Sequence, residues 1–235
     1  MLFPQSLVEG RLLRRYKRFL ADIRLPGGEE VTAHCANPGA MLGLITPEAR
    51  VFLSKNDNPA RKLRYSWEIV EADFGRGPEL VGVSTALPNP LIGEALQSGG
   101  FPEFAGWPTL RREVKYGAAS RVDFVLEGEG RPPVYVEVKN VHLMREPGLA
   151  EFPDCATARG ARHMRELAGM TRAGARACVI FVIQMSAERF TLARDLDPAY
   201  AHAFDEAMAA GVDAIALSCD VSLAGVEIAR RVPIV

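Results

Sequence analysis

The stretch Arg121-Val-Asp-Phe-Val-Leu-Glu-Gly-Glu-Gly-Arg-Pro-Pro-Val-Tyr-Val-Glu-Val-Lys139 decides the fold. Two apolar runs of period two flank the turn formers Gly128, Gly130, Pro132 and Pro133, so the segment reads as a β-hairpin. With the turn centred near Gly130, Asp123 falls opposite Glu137. Cross-strand partners lie about 5 Å apart and like charges there repel, so the placement calls for a cation between them. Alternation sends Tyr135, Glu137 and Lys139 to one face. It sends Val134, Val136 and Val138 to the other, joined there by Val122, Phe124 and Leu126. The apolar set makes core, and Asp123, Glu137 and Lys139 are displayed together on the opposite side.

Hard divalent cations take carboxylate oxygens and keep several waters. Asp123 and Glu137, with a backbone carbonyl, therefore suit Mg²⁺ or Mn²⁺ and leave positions for a phosphate and a nucleophilic water. The Lys139 ammonium beside them can orient that water or offset charge on the transition state. The other reading of the same residues is an ordinary salt-bridged strand pair.

Outward from the hairpin, Asn89-Pro-Leu-Ile-Gly-Glu-Ala-Leu opens a helix with Asn89 as N-cap and Pro90 in its first position, and Gly99-Gly100 ends it. Strands follow over 110–116, 121–126 and 134–139. A helix over 156–170 with Asp154 as its cap, a strand over 177–184, a helix over 198–210 and a strand over 213–218 complete the order α-β-β-β-α-β-α-β. This order predicts a mixed α/β (α+β) fold, a mixed sheet flanked by helices, over residues 84–235. Residues 1–83 read as short strands broken by Pro26-Gly-Gly, Asn37-Pro-Gly and Asn56-Asp-Asn-Pro, which predicts a small OB-like or SH3-like β-barrel.

At 235 residues, 48% hydrophobic and 24% charged, the chain is long and apolar enough to exclude disorder as its main state. Apolar runs such as 177–183 are far shorter than a membrane span, and the start Met1-Leu-Phe-Pro-Gln-Ser lacks the features of a secretory signal, so a cytoplasmic address and no membrane partner are expected. Four cysteines without a CxxC pair argue against a zinc site or a disulfide framework. The first 65 residues hold 11 basic and 6 acidic side chains, the remainder 17 and 23. That gradient points to a polyanion partner. Arg14, Arg15, Lys17, Arg18, Arg61 and Lys62, interleaved with Tyr16, Tyr65 and Trp67, form the expected DNA-binding face. Arg159, Arg162 and His163 share a helix face by their spacing and are candidates to hold phosphate beside the metal. No helix-turn-helix signature, zinc finger or glycine-rich nucleotide cradle occurs.

Asp123, thirteen residues and then Glu137-Val-Lys139, in this element order, resembles the PD-(D/E)XK nuclease core. Arg15-Tyr-Lys-Arg-Phe-Leu-Ala-Asp, Arg61-Lys, Glu113-Val-Lys-Tyr-Gly, Ser120-Arg-Val-Asp-Phe, Tyr135-Val-Glu-Val-Lys-Asn-Val, Phe152-Pro-Asp and Thr157-Ala-Arg-Gly-Ala-Arg-His look like the SfsA family, the sugar fermentation stimulation protein A homologues. The resemblance spans nearly the whole chain. It implies a bacterial or archaeal DNA-binding protein linked to sugar metabolism, with an N-terminal OB-like barrel and a C-terminal nuclease-like domain. It also implies metal ligation by Asp123 and Glu137 and a catalytic role for Lys139. In the nuclease superfamily the helix before the first strand often adds an acid, for which Glu94 is the candidate, and Glu113 competes with it. Val122 stands where the superfamily name has Pro. Ala36 and Pro38 replace the family's usual Pro and Thr, so no hydroxyl function carries over to that loop. Two functions follow: a metal-dependent nuclease, or a non-catalytic DNA-binding regulator of sugar (maltose) metabolism genes on the same scaffold. A homodimer is compatible with either. Glycoside hydrolysis would call for an aromatic-lined cleft, and this region has few aromatics.

Overall fold

Five short strands with inward alternation of small and branched residues close the N-terminal barrel: β1 (Val8–Tyr16), β2 (Leu20–Arg24), β3 (Glu30–Cys35), β4 (Arg50–Lys55) and β5 (Tyr65–Asp73). The computed structural model describes residues 1–117 and 120–235. β1 pairs with β2 and β4, β2 with β3, β4 with β5, and a parallel pairing of Ala33 with Tyr65 and His34 with Ser66 joins β3 to β5. This circuit is the OB order and chooses between the two barrels the sequence leaves open. β6 (Pro78–Gly82) adds to β5. Leu12, Ala21, Ile23, Ala33, Leu53 and Trp67 fill the interior and are fully buried. Trp67 is thereby a correction to the aromatic surface expected from sequence: alternation turns it inward, where its Nε1–H donates to the Ile69 carbonyl at 3.0 Å.

The second half begins with α1 (Pro88–Gln97), a 3-10 turn at Pro102–Phe104, then β7 (Thr109–Tyr116), β8 (Ser120–Glu127) and β9 (Val134–Val141). β10 (Leu143–Glu146), β11 (Leu149–Phe152), α2 (Ala158–Arg172), β12 (Arg176–Ile183), β13 (Arg189–Leu192), α3 (Pro198–Ala209), β14 (Asp213–Val221) and β15 (Val226–Val232) follow. The main sheet runs β15-β14-β12-β9-β8-β7, with β9, β12 and β14 parallel at its centre. β12 is apolar along its length because both faces are covered. Cys178, Ile180 and Val182 pack with Leu91 and Ile92 of α1, while Val179, Phe181 and Ile183 pack with Met164 and Leu167 of α2 and Phe204 of α3. The smaller sheet β10-β11-β13 and the edge strand β15 lie beyond the predicted elements.

Two helix starts differ from expectation. α1 begins two residues earlier, at Pro88, with no side-chain cap, which leaves the Asn89 amide for another partner. α2 is preceded by Thr157 rather than capped by Asp154. The Phe181 ring lies 5.5 Å from Phe152, 4.4 Å from Phe190 and 6.0 Å from Phe204 between ring centroids. Such contacts add about 0.5–1.5 kcal/mol each beyond burial, and they anchor the chain just before Asp154. One apolar core runs from the barrel into the second half, and Leu2 pairs with Gly225 beside the β14–β15 turn. Among the described residues no helix is long and apolar enough to cross a membrane.

Candidate active site

The hairpin forms in the predicted register, with Phe124 opposite Val136, Val125 opposite Tyr135 and Leu126 opposite Val134. The ladder stops at the acid pair. There the Asp123 carboxylate takes the bond a strand carbonyl would otherwise accept: Val138 N–H donates to Asp123 Oδ2 at 2.7 Å. β8 changes face at this point. Phe124 and Leu126 pack under α1 as expected, but Val122 packs on the α2 side, contrary to strict alternation. β7 switches with it, Leu110 lying on the first side and Val114 and Tyr116 on the second. The physical cause is Glu113, a non-glycine residue in left-handed backbone with φ 52°. Its turn-over moves both strands while the pairing on either side, Arg112 with Phe124 and Val114 with Val122, stays in step.

Asn89 Nδ2–H donates to Asp123 Oδ1 at 2.7 Å, so both oxygens of this carboxylate are oriented. Burial and the charge of Glu137 push the Asp123 carboxyl up to about 6. Glu137 is 3% exposed. Its burial works against ionisation, but the Lys139 and His163 side chains outweigh that and hold it below the ordinary carboxylate range. Lys139 Nζ donates to Glu137 Oε1 at 2.6 Å, and His163 Nδ1 meets the same oxygen. Arg159 Nε–H donates to His163 Nε2 at 3.3 Å, which leaves Nδ1 to donate to Glu137. Glu137 Oε2 is buried with no partner.

These groups open into a cleft of about 530 Å³ between barrel and sheet, with Arg18, Asn37 and Gly39 on the barrel side and Asp123, Glu137, Lys139 and Arg159 on the other. A second buried relay locks the two walls. Asn140 Nδ2–H donates to His142 Nδ1 at 2.9 Å, and His142 Nε2–H donates to Asp154 Oδ2 at 3.1 Å. Met41 N–H of the barrel loop donates to the same Asp154 oxygen at 2.8 Å. Against the cost of burial, His142 and the Met41 amide draw the Asp154 carboxyl down to about 2. Only glycine fits at position 39, where a Cβ would lie 2.4 Å from Asp154 Oδ2.

Of the four acids expected as metal ligands, the fold gathers two. Glu94 is exposed because the buried face of α1 is taken by Leu91, Ile92 and Gly93, and Glu113 is exposed on the edge strand; neither lines the cleft. α1 contributes Asn89 instead. Among the described residues no three His, Cys, Asp or Glu side chains converge as a ligand set. The basic residues divide in the same way. Arg18, Arg159 and His163 line the cleft, whereas Arg162 is exposed outside it. Arg61 and Lys62 are exposed in the β4–β5 loop. Arg14 pairs with Asp22 at 2.8 Å and lies over the Tyr16 ring. Arg15 is occupied structurally, donating to the carbonyls of Asn37 at 2.7 Å, Gly39 at 2.9 Å and Arg18 at 3.0 Å. Lys17 belongs to the β1–β2 tip. His142 is absent from the sequence reading, and Asn89 stands there only as a helix cap; an Asn inside a first helical turn, where it adds nothing to the helix, is the signal that Asn89 offered.

The donor chemistry fits a hard dication. Two carboxylates meet at a buried point, one with an unpartnered oxygen and the other raised by burial and by its neighbour's charge. Residues 86–225 match the family described as the sugar fermentation stimulation protein RE domain, and residues 13–83 match the SfsA N-terminal OB domain. A sugar fermentation stimulation protein homologue of Methylorubrum populi is 60% identical over 234 residues, covering 100% of this chain and 95% of that one. That of Azorhizobium caulinodans is 58% identical over 234 residues, covering 99% of each. The structure of Pyrococcus furiosus SfsA in complex with Ca²⁺ superposes with a TM-score of 0.88 at 26% identity, over 100% of this chain and 98% of that one. On these matches, which run from the barrel through the sheet, the chain belongs to the SfsA family.

Proposed function

We propose that the chain is a cytoplasmic DNA-binding protein that hydrolyses phosphodiesters with Mg²⁺ or Mn²⁺ at Asp123, Glu137 and Lys139. The observation that carries the reading is the unpartnered, buried Glu137 Oε2 beside the raised Asp123 carboxyl, on the wall of a cleft that also presents Arg18 and Arg159. The Ca²⁺ in the Pyrococcus furiosus relative supports it, since Ca²⁺ and Mg²⁺ both take oxygen ligands. Asp123 and Glu137 would hold the dication, which when bound supplies Lewis-acid charge to the phosphoryl oxygens. Asn89 and the Val138 amide keep Asp123 aimed. His163, braced by Arg159, keeps Glu137 ionised and fixed. Lys139 is placed to release Glu137 and donate to the attacking water or a phosphate oxygen, while Arg18 and Arg159 would bind phosphates flanking the scissile one. Glu94 and Glu113, exposed outside the cleft, have no part in this reading.

A second reading, a non-catalytic regulator that binds DNA near sugar (maltose) genes, is favoured by the gathering of two rather than three acidic ligands among the described residues. Incubation of the chain with single-stranded and duplex DNA, with Mg²⁺, with Mn²⁺ and with chelator, separates the two. Cleavage that requires metal and is lost in Glu137→Gln and Lys139→Ala, with DNA binding kept, supports hydrolysis. Binding without cleavage under either metal refutes it in favour of the regulator.

A further inference from the structure

We infer that the barrel holds an unpaired base of a single-stranded nucleic acid on Phe19, beside the cleft; the inference rests on reading that cleft as a DNA site. Phe19 lies at the tip between β1 and β2 and is 45% exposed, although a phenylalanine ring gains free energy by burial. Its ring stacks with that of His34 on β3, centroids 6.5 Å apart and planes 18° from parallel, so it is braced in the open. The tip is built stiffly. Lys17 and Arg18 are consecutive non-glycine residues in left-handed backbone, with φ 48° and 61°. Arg15 ties Arg18 by its carbonyl to the same guanidinium that grips Asn37 and Gly39, the barrel wall of the cleft.

The charge around the ring suits a nucleic-acid strand. Arg18 lines the cleft itself. On the other side of His34, the parallel seam between β3 and β5 brings in the exposed Arg61, Lys62 and Arg64 of the β4–β5 loop. Three acids lie around this face: Glu68, whose carboxyl burial raises, with Ser54, Ser84, His34 and Arg61 acting against that; Asp57, 3.7 Å from Arg64; and Asp22, which accepts from Thr32 on β3 and is paired with Arg14 at 2.8 Å. A base can therefore stack on the aromatic pair while its phosphates meet Arg18, Lys17 and the loop cations, the combination that single-strand binders use. A duplex keeps its base faces in its own stack and offers Phe19 nothing. The substrate class that follows is an unpaired strand, threaded from the Phe19 tip toward Asp123 and Glu137.

The test titrates the full chain, in chelator so that no cleavage intervenes, against three fluorescent probes: an oligo-dT of about twelve nucleotides, an abasic strand with the same phosphates, and a duplex of equal length. Phe19→Ala should lower affinity for oligo-dT roughly tenfold, leave the abasic strand and duplex within about twofold, and leave the salt slope unchanged, while Phe19→Trp retains oligo-dT binding. Arg18→Ala should weaken oligo-dT and abasic strand alike and flatten the salt slope by about 0.7. Three results overturn the inference: no loss of oligo-dT affinity in Phe19→Ala, an equal loss on all three probes, or no oligo-dT binding by the unaltered chain. Cleavage is scored separately with Mg²⁺ or Mn²⁺. Base-dependent binding through Phe19 without cleavage would sink the hydrolase reading alone, and metal-dependent cleavage alongside any of those three binding results would sink the platform alone.

Discussion

Replacing Asp123 by Asn should make the metal-free protein more stable while removing its affinity for divalent cations. In the unfolded chain the carboxyl ionises near 3.8, but in the fold it holds its proton to about 6. A raised carboxyl stabilises the fold below the unfolded value, and that contribution is lost as pH rises through the folded one. At roughly 1.4 kcal/mol per pH unit the whole loss is about 3 kcal/mol, of which about 2 kcal/mol falls between pH 4.5 and 7.5. Glu137 is shifted downward and so acts below its ordinary 4.5, outside that window. The amide is tolerated sterically and chemically. An Asn at 123 keeps the Val138 N–H bond through its oxygen, and Asn89 turns its own amide to accept from the new NH₂ group. Urea unfolding in chelator at both pH values measures the effect: Asp123→Asn should lead the unaltered chain by about 2 kcal/mol more at the higher pH. Adding Mg²⁺ or Ca²⁺ at about 100 times its dissociation constant should then stabilise the unaltered chain by about 2.7 kcal/mol and leave the variant where it was. Parallel pH profiles for the two proteins would refute the claim that burial and the Glu137 charge together raise the Asp123 carboxyl.

Asp154 should show the opposite sign. Drawn down to about 2, its carboxylate stabilises the fold above 3.8, and about 2 kcal/mol is lost as pH falls from 3.8 to 2; Asp154→Asn should flatten that acid limb, followed by Trp67 emission. Arg15→Ala leaves the carbonyls of Asn37, Gly39 and Arg18 without their donor and should cost about 1–3 kcal/mol in thermal or urea unfolding, with the salt slope of DNA binding unchanged. A slope that falls in Arg15→Ala would make it a phosphate contact instead. Glu113→Gly relieves a left-handed residue and should leave divalent-cation affinity intact with stability equal or higher by up to about 1 kcal/mol, whereas Glu113→Val should destabilise. Calorimetric loss of cation binding in Glu113→Gly would return that residue to the ligand set.

What the sequence showed of the site depended on whether regular alternation placed the residue. Tyr135, Glu137 and Lys139 follow the period-two pattern of β9 and sit where that pattern puts them, because both flanking faces of the strand are packed and a one-residue slip would bury Lys139 among the α1 contacts. Central elements such as β12, whose apolar run is long, were legible for the same reason; β10, β11 and β13, at four residues each, are too short to show a period. Residues set by irregular backbone or by tertiary partners were not legible. Nothing about Glu113 marks it as left-handed, since it is neither Gly nor Asn, yet its turn-over sends Val122 to the α2 side and leaves the Val138 amide to Asp123. The nuclease resemblance implied an acid from α1, but burial of Leu91, Ile92 and Gly93 turns Glu94 to solvent and brings Asn89 over Asp123. Trp67 and Phe19 show the same limit in the barrel. Nearness in sequence to Arg61, Lys62 and Arg64 suggested Trp67 as a surface aromatic, whereas closure of the β3–β5 seam buries it and leaves Phe19 braced outside on His34. The exposed aromatic of a closed barrel is therefore found at a strand junction, and its position beside Arg18 makes it a group whose function an affinity measurement can decide.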